Sequence, residues 1–158
     1  MRINFTRGVL EIEDARIIYR NFSGVGSKFN REGDRNFAVI VPNEELKEEL
    51  VEAGWNVKVK PPREEYDEPF MFIPVKIKFN DRGPAIYVES GDSVARLNED
   101  TVGMIDEIDI ASVSMDLRPY DWEVNGKTGR TAYLQAMRVT QNLDRFGAMY
   151  AAEERSIN

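Results

Sequence analysis

The sequence predicts a mainly β domain, an antiparallel barrel of five to seven strands carrying one or two short helices. Three observations lead there. Short apolar runs, alternating or continuous, recur between turn-forming Gly, Pro and Asn steps. Only one stretch before the C-terminus combines helical periodicity with capping residues. The regular strand-helix rhythm of a parallel α/β sheet is missing. No repeat or linker divides the 158 residues, so residues 1–142 are expected to form one domain and 143–158 a C-terminal helix or tail.

The elements follow in order. "GVLEIEDARIIYRNF" reads as a long strand with a bulge near Asp14, and "NFAVIV", Asn36 to Val41, as a short continuous one. Residues 23–35 form a glycine-bearing connection between them. "PNEELKEELVEAGW" is the helix: Asn43 caps it, Glu44 and Glu45 sit where the helix dipole favours negative charge, and Gly54 stops it. "WNVKVK" alternates, turning Lys58 and Lys60 outward. "PPREEYDEP" is a loop, and "FMFIPVKIKF" (Phe70 to Phe79) resumes as a strand in which Pro74 implies an edge or a bulge.

"NDRG" turns the chain and "PAIYVES" is expected to pair back as a hairpin. "GDSVARLNEDTVGMIDE" reads as a connection with a helical turn near Glu99 to Asp106. "IDIASVSMDLRPYDWEV" is a long strand whose inward phase slips once, between Ile110 and Val113, as a bulge would make it. "NGKTG" is a turn and "RTAYLQAMRV" the last strand, with Tyr133, Gln135, Met137 and Val139 expected on one face.

Composition excludes more than it identifies. Cys and His are both absent, which removes disulfides, thiol nucleophiles, imidazole bases and most transition-metal sites. No catalytic residue, metal ligand or cofactor is expected. No run is long and apolar enough for a membrane span, and no signal-peptide layout precedes the first strand, so a cytoplasmic protein is expected.

The net charge is −7, but it is unevenly spread. From Met1 to Val41 seven Lys/Arg face five Asp/Glu; from Asn43 to Ile110 eight face seventeen; from Ala111 to Arg145 five face four. The basic flanks can still make one positive face if the fold brings them together.

Three stretches carry a likeness to a known family: "NFSGVGSKFNREGDRNFAVIV", "PFMFIPVKIKF" and "VSMDLRPYDWEVNGKTGRTAYLQAMRV". Together they resemble the OB-fold single-stranded DNA-binding proteins of tailed bacteriophages. The resemblance implies an OB-fold-like barrel that coats single-stranded DNA without sequence preference, in phage replication or recombination, in the host cytoplasm and without enzymatic activity. Replication or recombination proteins, or further copies of the chain, are the other partners it implies. Many family members also end in an acidic tail that recruits partners. Here "AAEERSIN" offers only Glu153 and Glu154, so that role is in doubt; Glu64, Glu65, Asp67 and Glu68 are a substitute, or simply a solvated loop.

Binding a strand of any sequence needs cations for phosphates and ring faces for bases. Lys28, Arg31 and Arg35 surround Phe29 in the 23–35 loop, whereas Phe37 belongs in the core. Arg118, Tyr120 and Trp122 share a phase on the long strand, with Lys127 and Arg130 at the following turn. Lys58, Lys60, Lys76 and Lys78 alternate outward on two strands, and Tyr133 and Arg138 lie on the last. Each has a plainer reading: turn charges, core rings, or edge lysines that block aggregation. Two other functions compete. Asp106, Glu107 and Asp109 suggest a metal-dependent nuclease, although period 2 splits them between faces. The acidic middle suggests a protein-interaction module or DNA mimic, which would align its carboxylates.

Overall fold

In the computed structural model, which describes residues 1–65 and 67–143, ten strands form one sheet. They are β1 (Arg2–Thr6), β2 (Val9–Ala15), β3 (Ile17–Asn21), β4 (Arg35–Ile40), β5 (Lys58–Lys60), β6 (Phe70–Ile77), β7 (Ala85–Ser90), β8 (Ser93–Leu97), β9 (Ile110–Val124) and β10 (Lys127–Gln141). One α-helix, α1 (Glu44–Glu52), and one 3-10 helix (Val102–Asp106) complete the described residues. The hydrogen-bonded path runs β1-β2-β9-β10-β6-β4-β3. The path ends at β1 and at β3, so the sheet stays open there rather than closing into a complete barrel.

Period-2 alternation decides which side faces in. Leu10 and Ile12, Phe37 and Val39, Ile73 and Val75, and Val113, Met115 and Leu117 are all buried in one core. Phe22 stacks on Phe37 at 5.1 Å between ring centres inside it. α1 closes one side through Leu50, and the Asn43 side chain accepts from the Leu46 N–H, as the sequence predicts. Arg20 ties β3 to the 3-10 segment by donating to the Ile105 and Ile108 carbonyls at 2.7 and 2.8 Å.

Irregular residues account for most differences from expectation. Asp14 takes φ 54° where the register between β2 and β9 shifts, at the expected bulge. Arg16 then separates two strands where the sequence reads as one. β1 and β8 were not anticipated, and β8 occupies part of the stretch read as a connection. The 3-10 helix falls within the expected helical turn.

The expected β6–β7 hairpin does not form. Both strands instead run parallel to β10, β6 beside Ala132 and Tyr133 and β7 beside Ala136 to Thr140. The sheet forks where β10 carries a bulge between Leu134 and Ala136. That bulge also corrects the face assignment of the last strand. Ala132 and Leu134 are buried with Met137 and Val139, so Tyr133 lies opposite Met137 rather than with it.

The last hairpin is tighter than "NGKTG" implied. Asn125 (φ 51°) and Gly126 (φ 77°) form a two-residue turn and Lys127 already pairs with Val124. The phase slip between Ile110 and Val113 is present as a shift opposite Thr140 and Gln141. Trp55 is buried, but Val59, which shares its phase in the sequence, is exposed because β5 is short and holds to β6 alone. The expected C-terminal helix or tail lies outside the described residues from 144 onward.

Candidate nucleic-acid interface

The face of the sheet turned away from the core can be read from register. Opposite the core side chains of β6 stand Phe70, Phe72, Pro74 and Lys76. β5 places Lys60 beside Phe70 and Lys58 beside Phe72. β10 places Tyr133 beside Lys76, and β9 places Arg118 beside Tyr133 and Tyr120 beside Thr131. Trp122 follows opposite Gly129, and Lys127 shares this phase at the hairpin tip. Residues from two distant pairs of strands, β5 with β6 and β9 with β10, thus meet on one outward strip.

The strip carries two ring clusters. In the first, the Tyr19 ring meets Phe70 and Phe72 edge-on at 6.3 and 5.8 Å. Lys60 lies 4.8 Å over the Tyr19 ring and donates to its hydroxyl at 3.0 Å. Tyr19 gets there by a backbone irregularity: its φ of 56°, unusual for a bulky side chain, coincides with a register shift between β3 and β4. In the second cluster Tyr120 and Tyr133 meet edge-on at 6.2 Å, and the Arg118 guanidinium sits 5.2 Å over Tyr133. Trp122 lies against Gly129 so closely that a Cβ there would stand 2.3 Å from its ring. Tyr19, Tyr120 and Trp122 remain exposed, whereas Phe72 is covered by its neighbours.

Phe72 and Lys76 are four residues apart on one face of β6, about 13 Å. A groove of about 530 Å³ spans that interval, with Ala38 and Pro74 among its lining and Tyr19 and Tyr133 at its ends. Lys76 and Lys78 line it, and Arg31, Asp34 and Arg35 from the 23–35 loop form a wall. The loop is held in shape by Asn30, whose side-chain amide donates to the carbonyls of Val25, Arg31 and Asp34 and whose oxygen accepts from Asn36. A second Asn does the same at its root, Asn21 accepting from the Val25 N–H and donating to the Val25 carbonyl. Phe29 projects from this braced loop 92% exposed, with the Lys28 ammonium 5.8 Å from its ring.

The other residues singled out in the sequence are placed differently. Arg35 is partly buried, donating to the Phe22 carbonyl at 2.6 Å and lying over Phe79. Arg31 pairs with Asp34 at 3.3 Å but stays largely exposed. Arg130 faces the other way, over the buried Trp55, and grips Asp121 through two nitrogens at 2.6 and 3.1 Å. That pair holds the Asp121 carboxyl below its ordinary range. Arg138 is outward but beyond the bulge, where it pairs with Glu89. Around it stand Glu11, Glu13 and Asp116, and burial followed by these two neighbouring carboxylates pushes the Asp116 carboxyl up.

Sequence reasoning missed Tyr19, Phe70 and Phe72. The two Phe residues share phase with Lys76 and Lys78, a signal present in the sequence; Tyr19 gives none, because its orientation depends on one left-handed backbone angle.

Two of the three carboxylates considered for metal chemistry are otherwise engaged. Asp106 accepts from the Phe22 and Ser23 N–H groups at 2.7 and 3.0 Å, and Asp109 accepts from Asn142. Among the described residues no group of three acidic side chains is placed to hold a metal ion. Among them also, no helix is long and apolar enough to cross a membrane.

A family model described as "Putative phage ssDNA-binding domain" matches residues 2–155. No curated protein matches the sequence. Among solved structures, the single-stranded DNA-binding protein from bacteriophage Enc34 in complex with ssDNA superposes with a TM-score of 0.57 at 14% identity, covering 88% of this chain and 89% of its own. The same phage protein without that complex gives 0.56 at 12% identity, covering 92% and 93%. Its C-terminally truncated form gives 0.54 at 12%, covering 90% and 97%. At these identities the likeness establishes the fold.

Proposed function

This chain belongs to the phage single-stranded DNA-binding domain family, and on that premise we propose that its outward strip coats single-stranded DNA without sequence preference during phage replication or recombination in the host cytoplasm. The observation that carries the reading is the meeting of free cations and exposed rings on one face. Phosphates are taken by Lys58, Lys60, Lys76, Lys78, Arg118 and Lys127, with Lys28 reaching in from the loop, whereas Arg31 is held by Asp34. Bases stack on Tyr19, Tyr120, Trp122 and Tyr133, and Phe29 adds a ring at the loop tip. Stacking is worth about 1 to 3 kcal/mol per base and accepts every base, since each has a π-face.

The role is one of binding rather than catalysis. Arg35, Arg130 and Arg138 act in the scaffold, because each is already committed to a carbonyl or a carboxylate. The protein-interaction alternative rests on the acidic stretch from Asn43 to Ile110, and of the carboxylates gathered around Arg138 only Glu89 comes from it.

The test is a titration of labelled oligo-dT and of a duplex of the same length at two salt concentrations. Tighter binding of the single strand, weakening as salt rises, supports the reading. Equal affinity for both forms, or none for either, contradicts it.

A further inference from the structure

A second concavity, of about 670 Å³, opens where the sheet forks. Its walls are the turn from Asn80 to Gly83 on one side and the β10 bulge at Gln135 on the other. Three cations line it: Lys78, Arg82 and Arg118. Asp81 is the one carboxylate lining it, and none of the three cations ion-pairs with a described carboxylate.

The turn is fixed rather than loose. Asn80 and Gly83 exchange backbone hydrogen bonds at 2.8 and 3.2 Å, and the Asn80 side chain accepts from the Arg82 N–H at 2.8 Å. Arg82 is therefore presented from a set backbone. Two of the cations also belong to the strip: Lys78 lines the groove as well, and Arg118 lies over Tyr133. Groove and concavity are continuous through these two side chains.

We propose that this concavity is a phosphodiester-binding extension of the interface, in which a strand leaving the groove past Tyr133 crosses Lys78 and is held between Lys78, Arg82 and Arg118. This rests on the single-stranded DNA reading and lengthens it. An unpaired guanidinium offers a planar fork of donors to phosphate oxygens, and three cations around one hollow attract the polyanion while repelling one another without it. A strand short enough to lie within the groove does not reach Arg82; a longer one does.

The experiment compares labelled oligo-dT of about 4 nucleotides, about the length of the groove, and of about 20, beyond the usual site size, with the wild type, Arg82→Ala and Arg82→Lys. Arg82→Ala is expected to weaken binding of the long strand about threefold to tenfold and to lower its salt slope by about 0.7, the value for one phosphate on a single strand. The short strand is expected to change less than twofold, and Arg82→Lys to recover most of the loss. Equal losses at both lengths, or no loss on the long strand, overturn the extension while leaving the groove in place. A wild type that binds neither strand overturns the underlying reading, and this proposal with it.

Discussion

The strands β9 and β10 cross two chemically opposite territories on the outward face of one sheet. On the hairpin side of the β10 bulge, cations lie over rings: Arg118 over Tyr133, with Lys60 over Tyr19 on the neighbouring strands. On the other side Arg138 lies on Glu89 and Arg2 on Glu13 at 3.7 Å, Arg96 alone lies over a ring, that of Tyr87, and carboxylates outnumber the cations. A cation over a ring keeps its full charge for an incoming phosphate; one gripped by a carboxylate does not. The contrast explains how a chain of net charge −7 can offer a polyanion site. Screening limits exposed charges to about 8 Å at physiological salt, so local neighbours outweigh the total.

The comparison is broken or sharpened by substitution. The largest effect is expected from the rings of the strip: Tyr19→Ala and Tyr120→Ala each remove a stacking platform, costing about 1 to 3 kcal/mol, or about 5- to 150-fold in oligo-dT affinity. Arg138→Ala and Tyr87→Ala, in the acidic territory, are expected to change the same titration less than twofold. Next comes Lys76→Ala, which should lower the slope of log affinity against log salt by about 0.7.

A smaller, conditional effect is expected at Asn30. Because it braces the loop that carries Phe29, Asn30→Ala should weaken binding in the wild type but hardly at all in a Phe29→Ala background. A double-mutant cycle should give a coupling of about 0.5 kcal/mol or more. Additive losses would show that the loop does not act through that ring.

The smallest effect concerns stability alone. The folded-state value of Asp116 is raised by burial and by Glu11 and Glu13, so the native state binds more protons than the unfolded chain above the ordinary carboxyl range. Stability from this group therefore falls as pH rises through that window. Asp116→Asn should raise the melting temperature at pH 7 and leave it unchanged near pH 3, where the carboxyl is protonated in either state. Oligo-dT affinity should not follow.

Much of this was legible in the sequence because it depends on period 2. The phase shared by Arg118, Tyr120 and Trp122, and the outward turn of Lys58, Lys60 and Lys76, follow from alternation alone and hold in the fold. So does Asn43 as a helix cap, a local side-chain-to-backbone contact. What was hidden depends on pairing between distant strands. The sequence of Arg130 does not reveal that Asp121 stands directly across the hairpin from it, nor that of Arg138 that β7 brings Glu89 alongside. The Gln135 bulge reverses the phase halfway along β10, and Tyr19 turns outward through one left-handed residue. Neither event has a glycine or proline to announce it.

The two tryptophans give the most direct measurement. Trp122 is 37% exposed on the strip and Trp55 is 4% exposed beneath Arg130. With Trp55→Phe, the fluorescence of Trp122 should be quenched saturably by oligo-dT and recover with salt; with Trp122→Phe, the remaining Trp55 signal should stay flat while a labelled oligonucleotide still binds. Quenching of Trp55 with no change at Trp122 would place the strand elsewhere on the molecule and contradict the account.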